Sequence, residues 1–244
     1  MSIAGSTKDG LARVAVAALG GRYPTALGID VDAGDAEVER WFLAATLFGT
    51  RISASVAGRT FRVLNDAGLH RVAQARHIPW HDLVGLLDGG GYGRYDFRTA
   101  TRLQDLAEVV AERYGGETAV IGRRFPRYPD LRQALDVLPG WGPVTIQLFL
   151  RELRGVWPGA QPPLDMRAAA AARHLGLAAG APSQPDVTAL ARLADESRLD
   201  LRDLEGGLVR LALAHRHTMD SCPGGTACSL LAAWRQQQAA RGPA

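Results

Sequence analysis

Two glycines separated by one residue most restrict how this chain can fold. They lie in the segment Leu-Pro-Gly-Trp-Gly-Pro-Val-Thr at 138–145. Because glycine lacks a Cβ, Gly140 and Gly142 permit a sharp turn with positive φ, and Pro143 suits the first position of a new helix. Apolar residues at helical spacing precede and follow the turn, so we expect two amphipathic helices joined by a tight hairpin. Free N–H groups at the second helix's start would bind a phosphate. The alternative is an ordinary turn between two packed helices.

A single aspartate opens an alanine-rich helix downstream of the hairpin. Asp165 immediately precedes the predicted helix 166–177. Aspartate is a favourable N-cap, and this structural role alone would explain its presence. The same position is compatible with catalysis, because the positive end of a helix favours an ionised carboxylate.

Helical periodicity dominates the rest of the chain, and no convincing run of alternating β-branched residues appears. We therefore expect an all-α fold. Besides the two hairpin helices, the spacing of apolar residues predicts helices at 12–19, 38–47, 53–65, 69–76, 81–87, 98–114, 187–197, 201–215 and 227–235. A break is expected at the three glycines 89–91, a loop at 122–129 and a proline-rich linker at 155–163.

The hairpin and the trailing aspartate together resemble the signature of the helix-hairpin-helix DNA glycosylases, the endonuclease III superfamily. Residues 164–167, Leu-Asp-Met-Arg, resemble the stretch that carries the catalytic aspartate of that family. Residues 41–53 look like its early barrel helix with the loop that enters the DNA, and 86–114 look like its glycine turn and following helix. The resemblance runs from about residue 10 to residue 228.

The resemblance implies two helical domains with a DNA groove between them. A six-helix barrel with the helix-hairpin-helix would span 28–154, and 1–27 would pack with 155–244 as the second domain. The implied function is base-excision repair: a glycosylase that flips a damaged or mismatched base out of double-stranded DNA and hydrolyses its N-glycosidic bond with Asp165. The alternative is a DNA-binding module on the same scaffold without chemistry of its own.

Several residues are candidate DNA contacts. The resemblance places Thr50 and Ser53 where the family fills the gap left by the extruded base, with Arg51 between them near a phosphate. A loop threonine, a helix-capping serine and a solvated arginine are the alternatives. Arginines in the loop before the hairpin would contact the DNA backbone unless they only face solvent. The full set of expected contacts is Gly140, Trp141, Gly142, Val144, Thr145, Thr50, Arg51, Ser53, Arg123 and Arg124.

The chain holds one lysine, Lys8, in an N-terminal stretch that we expect to be flexible. Family members that also cut the abasic strand use a lysine just after the second hairpin glycine, and Val144 occupies the matching position. Valine cannot form a Schiff base. The resemblance therefore implies a monofunctional glycosylase without lyase activity.

Cys222 and Cys228 are the two cysteines of the chain. Their spacing matches the last two ligands of the iron–sulfur loop found in many relatives, but a four-iron cluster needs four cysteines. We therefore expect a degenerate loop at 215–228, with no iron–sulfur cluster and no cofactor. A zinc site of His215, His217, Cys222 and Cys228 is the less favoured alternative.

Composition adds limits on partners and location. The net charge of +3 says little about partners. No segment reaches the length of apolar sequence needed to span a bilayer, and the N-terminus lacks the pattern of a signal peptide. We expect a cytoplasmic, nucleoid-associated monomer that does not engage membranes.

Overall fold

The computed structural model describes residues 7–49, 52–178 and 187–241. The regular secondary structure in these ranges consists of α-helices and short 3₁₀ helices. No strand occurs in the described ranges, which agrees with the all-α prediction. The α-helices are α1 (Lys8–Leu19), α2 (Asp35–Phe48), α3 (Ala54–Asp66), α4 (Trp80–Gly90), α5 (Asp96–Tyr114), α6 (Ala119–Arg124), α7 (Tyr128–Asp136), α8 (Pro143–Glu152), α9 (Met166–His174), α10 (Val187–Glu196), α11 (Leu201–His215) and α12 (Ser229–Arg241).

The chain divides into two compact units. The central unit comprises Leu27–Pro162 and contains α2–α8. The terminal unit comprises Met1–Ala26 with Pro163–Ala244 and contains α1 and α9–α12.

Helix α2 forms the core of the central unit. Residues 41–45 are all fully buried, as expected from a segment that is apolar almost all round. The Phe42 ring stacks on Trp141 with centroids 4.3 Å apart and meets the edge of Phe149 at 5.4 Å. The hairpin and α8 are therefore anchored on α2 by an aromatic cluster.

Helix α4 continues through two of the three glycines at which we expected a break. It ends only at Gly91, whose φ of +95° is the left-handed conformation that glycine favours. Gly90 serves a different purpose, since a Cβ there would lie 2.4 Å from the backbone Cα of Thr60. Glycine at this position lets α4 approach α3 closely.

The proline-rich segment after α8 belongs to the central unit, which extends beyond the expected boundary at 154. Trp157 is buried and its ring meets the edge of Phe149 with centroids 5.4 Å apart. A Cβ on Gly122 would come within 2.3 Å of the same indole. Aromatic packing thus makes 155–162 a structural part of the unit instead of a free linker.

The terminal unit packs through small residues. Four alanines of α9 are buried: Ala168, Ala169, Ala171 and Ala172. On α11, a Cβ at Gly206 would lie 2.7 Å from the carbonyl oxygen of Gly21, so the chain beyond α1 contacts the α11 backbone directly. Small side chains on both helices permit this close packing.

Other local differences from the sequence-based expectation are small. Residues 72–77 form a 3₁₀ helix in place of an α-helix. Lys8 is the first residue of α1 and not part of a flexible stretch; Thr7 caps that helix through a hydrogen bond from Gly10 N–H. In the part of the chain described here, no helix is both long and apolar enough to cross a lipid bilayer.

Candidate functional site

The hairpin between α7 and α8 has the predicted form, but its two glycines differ. Gly140 has a φ of +79°, in the left-handed region. Gly142 has a φ of −146°, an extended conformation open to any residue, and it precedes Pro143 as the N-cap of α8. A Cβ on Gly142 would meet no atom within 4 Å. The backbone therefore requires glycine at 140 only, and the open space above Gly142 leaves room for a ligand.

The start of α8 presents unused backbone donors. Among the described residues, the N–H groups of Gly140, Gly142 and Val144 have no hydrogen-bond acceptor, whereas Trp141 N–H donates to Leu138 O at 3.0 Å. Val144 is exposed. Such N–H groups at the positive end of a helix favour an anion.

Two hairpin side chains are unavailable for DNA. Trp141 is 6% exposed, and its indole N–H donates to Thr46 Oγ1 at 3.1 Å. Thr145 is buried with its hydroxyl against Gly49, where a Cβ would clash with it. Of the expected contacts here, Trp141 and Thr145 have core side chains, and the backbone N–H of Trp141 is already used within the hairpin.

Only part of the loop expected to fill the gap left by the extruded base, residues 50–53, falls within the described ranges. Thr50 and Arg51 lie outside the described residues. Ser53 is exposed and is the N-cap of α3, where its hydroxyl accepts a hydrogen bond from Val56 N–H at 3.3 Å. Ser53 thus has the capping role that was its structural alternative.

Both candidate arginines before the hairpin lie on α6 and have partners within the protein. Arg123 forms an ion pair with Asp35, 2.6 Å from Nη1 to Oδ2. Arg124 donates to the carbonyl of Arg113 at 3.2 Å and lies over the ring of Tyr114. Exposed pairs of this kind are weak, so a phosphate could compete for either side chain, but neither arginine is a dedicated contact.

Asp165 occupies the N-cap of α9. Its Oδ1 accepts a hydrogen bond from Arg167 N–H at 2.7 Å, and within the described residues Oδ2 has no partner. Its own N–H donates to Oε1 of the fully buried Glu205 on α11, at 3.1 Å. The carboxylate is therefore held at one oxygen and free at the other, beside the positive end of a helix.

Helices α9 and α11 run side by side in the same direction. Glu205, near the start of α11, contacts the start of α9 at Asp165. At the other end, the rings of His174 and His215, the last residues of the two helices, meet edge to face with centroids 4.8 Å apart.

An open groove of about 860 Å³ adjoins the start of α9. Met166 and Arg167 contribute to it from α9, and Leu213, Arg216 and His217 from the end of α11 and beyond. Met166 and Leu213 are exposed apolar side chains. The groove therefore offers apolar and cationic contacts along α9, together with the carboxylate of Asp220; Asp165 itself does not line it.

Four metal-ligating side chains converge at the far end of α9. They are His174, His215, Cys222 and Cys228, and their donor atoms all lie within 4.8 Å of one another. His215 Nε2 is 3.3 Å from Cys228 Sγ. His217, which belonged to the less favoured zinc alternative, is exposed and lies outside the group, and His174 takes its place.

The surroundings of this His/Cys cluster shift Cys222 and His215 toward their metal-binding protonation states and shift Cys228 away from it. Burial opposes ionisation of Cys222, but hydrogen bonds from Ser229, Gly224 and His174 lower its pKa to about 6. Burial, assisted by the nearby His174, lowers the pKa of His215 and keeps that imidazole neutral. Burial raises the pKa of Cys228. A thiolate and a neutral imidazole are the forms that bind metals.

The sequence reasoning missed His174 and Glu205. Both depend on the packing of α9 against α11, because neither lies near its partner in the chain. The available signal was positional: His174 ends the alanine-rich helix that Asp165 begins.

Comparisons with protein-family models, with curated proteins and with solved structures found no match for this chain. The resemblance to the helix-hairpin-helix glycosylases therefore rests on the residues quoted from the sequence.

Proposed function

We propose that this protein is a monofunctional DNA glycosylase of the helix-hairpin-helix type. The observation that carries the proposal is the carboxylate of Asp165 at the start of α9, which has one oxygen hydrogen-bonded and the other without a partner among the described residues. The same chain has a hairpin with unused N–H groups. In the proposed reaction both features act on the same duplex.

The hairpin would bind a backbone phosphate through its N–H groups. Such contacts position a protein on DNA without reading its sequence. Extrusion of the target base costs a few kcal/mol, least for a damaged or mismatched base. The extruded nucleotide then has to bind with C1′ of its sugar beside the Asp165 carboxylate.

Asp165 would supply charge stabilisation and base catalysis. As the bond from C1′ to the base nitrogen breaks, positive charge develops on the sugar, and the ionised carboxylate stabilises it. Oδ2 accepts a proton from a water molecule whose oxygen bonds to C1′. The departing base takes a proton at the released nitrogen, and an abasic site remains in an intact strand.

The second candidate is a non-catalytic DNA-binding module. It is favoured by the N-cap hydrogen bond of Asp165, since capping alone accounts for an aspartate at this position.

Replacing Asp165 separates the two candidates. Asparagine is as good an N-cap as aspartate, so Asp165→Asn keeps the helix start and removes the charge. We expect base release to fall about 100-fold or more, with duplex binding retained. The assay uses duplexes that each carry one lesion (uracil, thymine glycol, 8-oxoguanine, alkylated adenine or mismatched thymine), with abasic sites cleaved by alkali.

Asp200→Asn is a matched control. Asp200 caps α11 as Asp165 caps α9, with an identical 2.7 Å hydrogen bond from the N–H two residues on. This variant should retain base release. If the unaltered protein binds duplex DNA and releases none of the bases, the binding-module candidate replaces the enzyme.

A further inference from the structure

The His/Cys cluster is assembled from separate segments of the terminal unit. His174 ends α9 and His215 ends α11, while Cys222 and Cys228 lie between α11 and α12. His174 is distant in sequence from the other three. Its presence in the group therefore results from the packing of α9 beside α11 and not from a local sequence motif.

The spacing of the donors fits one tetrahedral ion. With Zn–S bonds of about 2.3 Å and Zn–N bonds of about 2.0 Å, tetrahedral ligands lie roughly 3.3–3.8 Å apart. The distance of 3.3 Å from His215 Nε2 to Cys228 Sγ is already in that range. The widest gap in the group, 4.8 Å, needs to close by only about 1 Å.

The donor atoms of the cluster are largely shielded from water, so a bound cation would supply interactions that solvent does not. His215 is 2% exposed and Cys228 is fully buried. The Nε2 atom of His174 is shielded from solvent and has no hydrogen-bond partner within the described ranges. A buried polar group without a partner is destabilising. Two thiolates and two neutral imidazoles would balance the charge of a divalent ion.

We propose that His174, His215, Cys222 and Cys228 bind one Zn²⁺ ion in a closed structural site. Two sulfur and two nitrogen ligands in tetrahedral arrangement are typical of structural zinc, and four protein ligands leave no open position for catalysis. A four-iron cluster would need four cysteines. A two-iron cluster with two His and two Cys would place the ligands of different irons on opposite sides, whereas these four donors surround one point.

The ion joins the ends of α9 and α11 to the segment that begins α12. Both cysteines bind as thiolates, and a thiol that still holds its proton releases it to solvent on binding, so no redox step is involved. The site fixes α9 at the end opposite Asp165.

Elemental analysis tests the site directly. The untagged full-length chain, expressed with added zinc and desalted, should contain one zinc per chain. After removal of the metal under reducing conditions, titration with Co²⁺ should reach its end point at one equivalent and produce the visible absorption of a tetrahedral thiolate-bound cobalt. Chelation should lower the thermal unfolding midpoint by several degrees.

Variants assign the ligands. Cys222→Ser and His174→Ala should lose the stoichiometric metal, and the matched control His217→Ala should keep it, since His217 is exposed and outside the cluster. Substoichiometric zinc together with a failed Co²⁺ titration of the unaltered chain would overturn the proposal. Stoichiometric iron, a Cys222–Cys228 disulfide in the purified protein, or metal retained in His174→Ala would also overturn it. No DNA enters these measurements, so the result is independent of the proposed glycosylase activity.

Discussion

The backbone N–H of Asp165 donates a hydrogen bond to the side chain of Glu205, with 3.1 Å between N and Oε1. Glu205 is fully buried on α11, so this contact joins the start of α9 to the interior of its neighbour. It fixes the main chain at the residue whose carboxylate we propose as catalytic. The position of that carboxylate therefore depends on α11 as well as on α9.

Glu205→Ala should destabilise the protein and slow base release. Removing the acceptor leaves the Asp165 N–H without its partner, which costs about 1–3 kcal/mol, and the lost side-chain volume adds to this. Glu205→Gln retains an acceptor oxygen and should recover most of both effects. Urea unfolding and single-turnover base release measure the two quantities. An alanine variant with the unaltered rate of base release would show that this contact does not position Asp165.

Gly142→Ala should weaken duplex binding without affecting the fold. A Cβ at Gly142 meets no protein atom within 4 Å, but it would enter the space that a phosphate needs to reach the hairpin N–H groups. Losing a hydrogen bond to a charged group corresponds to about a tenfold loss of affinity. The loss should be similar for all sequences, because phosphate contacts carry no base information.

The control for this experiment is Gly85→Ala on α4, where a Cβ also meets nothing within 4 Å. Binding should be unchanged there. Fluorescence anisotropy at several salt concentrations distinguishes the variants. Equal affinity and equal salt dependence for Gly142→Ala and the unaltered protein would exclude phosphate binding by the hairpin.

Elements with a strong local signal could be predicted from the sequence. Most of the helices, the hairpin and the N-cap at Asp165 follow from the spacing of apolar residues, glycine and proline within a few turns. Helix α6 does not, since it overlaps the loop predicted at 122–129. The break predicted at 89–91 is wrong at Gly90, because glycine there lets α4 approach Thr60 on α3, a contact that periodicity does not encode.

Residues of the candidate sites were harder to predict, because their roles depend on tertiary packing. His174 and His217 are equally good ligands by residue type, and only the packing of α9 on α11 brings one of them to the cysteines. Trp141 lies in the hairpin, as a DNA contact would, but its ring completes the aromatic cluster with Phe42.

Trp141→Ala should lower the free energy of unfolding, because the indole is a core side chain and not a DNA contact. The side chain is buried between Phe42 and Phe149 and donates a hydrogen bond to Thr46. Truncating a buried tryptophan costs about 3–5 kcal/mol. Chemical denaturation gives the free energy of unfolding. If that value changes by less than about 1 kcal/mol, the indole is not a core residue.

Glu39 should make the central unit less stable as the pH rises. Burial raises the pKa of this carboxyl, although the N–H groups of Thr118 and Ala119 donate to Oε1 and partly offset the effect. Oε2 is buried and has no hydrogen-bond partner among the described residues. In the folded protein the side chain therefore holds its proton to a higher pH than in the unfolded chain.

The raised pKa fixes the sign of the pH dependence. Stability from the protonated Glu39 is fully present below the unfolded pKa of about 4.3 and is lost as the pH rises through the folded pKa. Glu39→Gln resembles the protonated form and does not titrate. The free energy of unfolding of this variant, measured relative to the unaltered protein, should increase across that interval and then level off. A difference that stays constant between acid and neutral pH would mean that the pKa of Glu39 is not raised.

The protein should release a base without forming a covalent link to the DNA. A lyase needs an amine at the abasic sugar, but the exposed side chain after Gly142-Pro143 is Val144, and the single lysine, Lys8, begins α1. Borohydride added during turnover should trap no protein–DNA adduct, and the strand should stay intact until alkali is added.

Val144→Lys is the matched positive control, because its side chain extends from the exposed start of α8 and should yield a trapped adduct if this position faces the abasic sugar. An adduct with the unaltered chain that persists in Lys8→Ala would implicate the α-amino group and refute the monofunctional mechanism. Failure of Val144→Lys to form any adduct, with its duplex binding intact, would mean that this hairpin position does not face the abasic sugar.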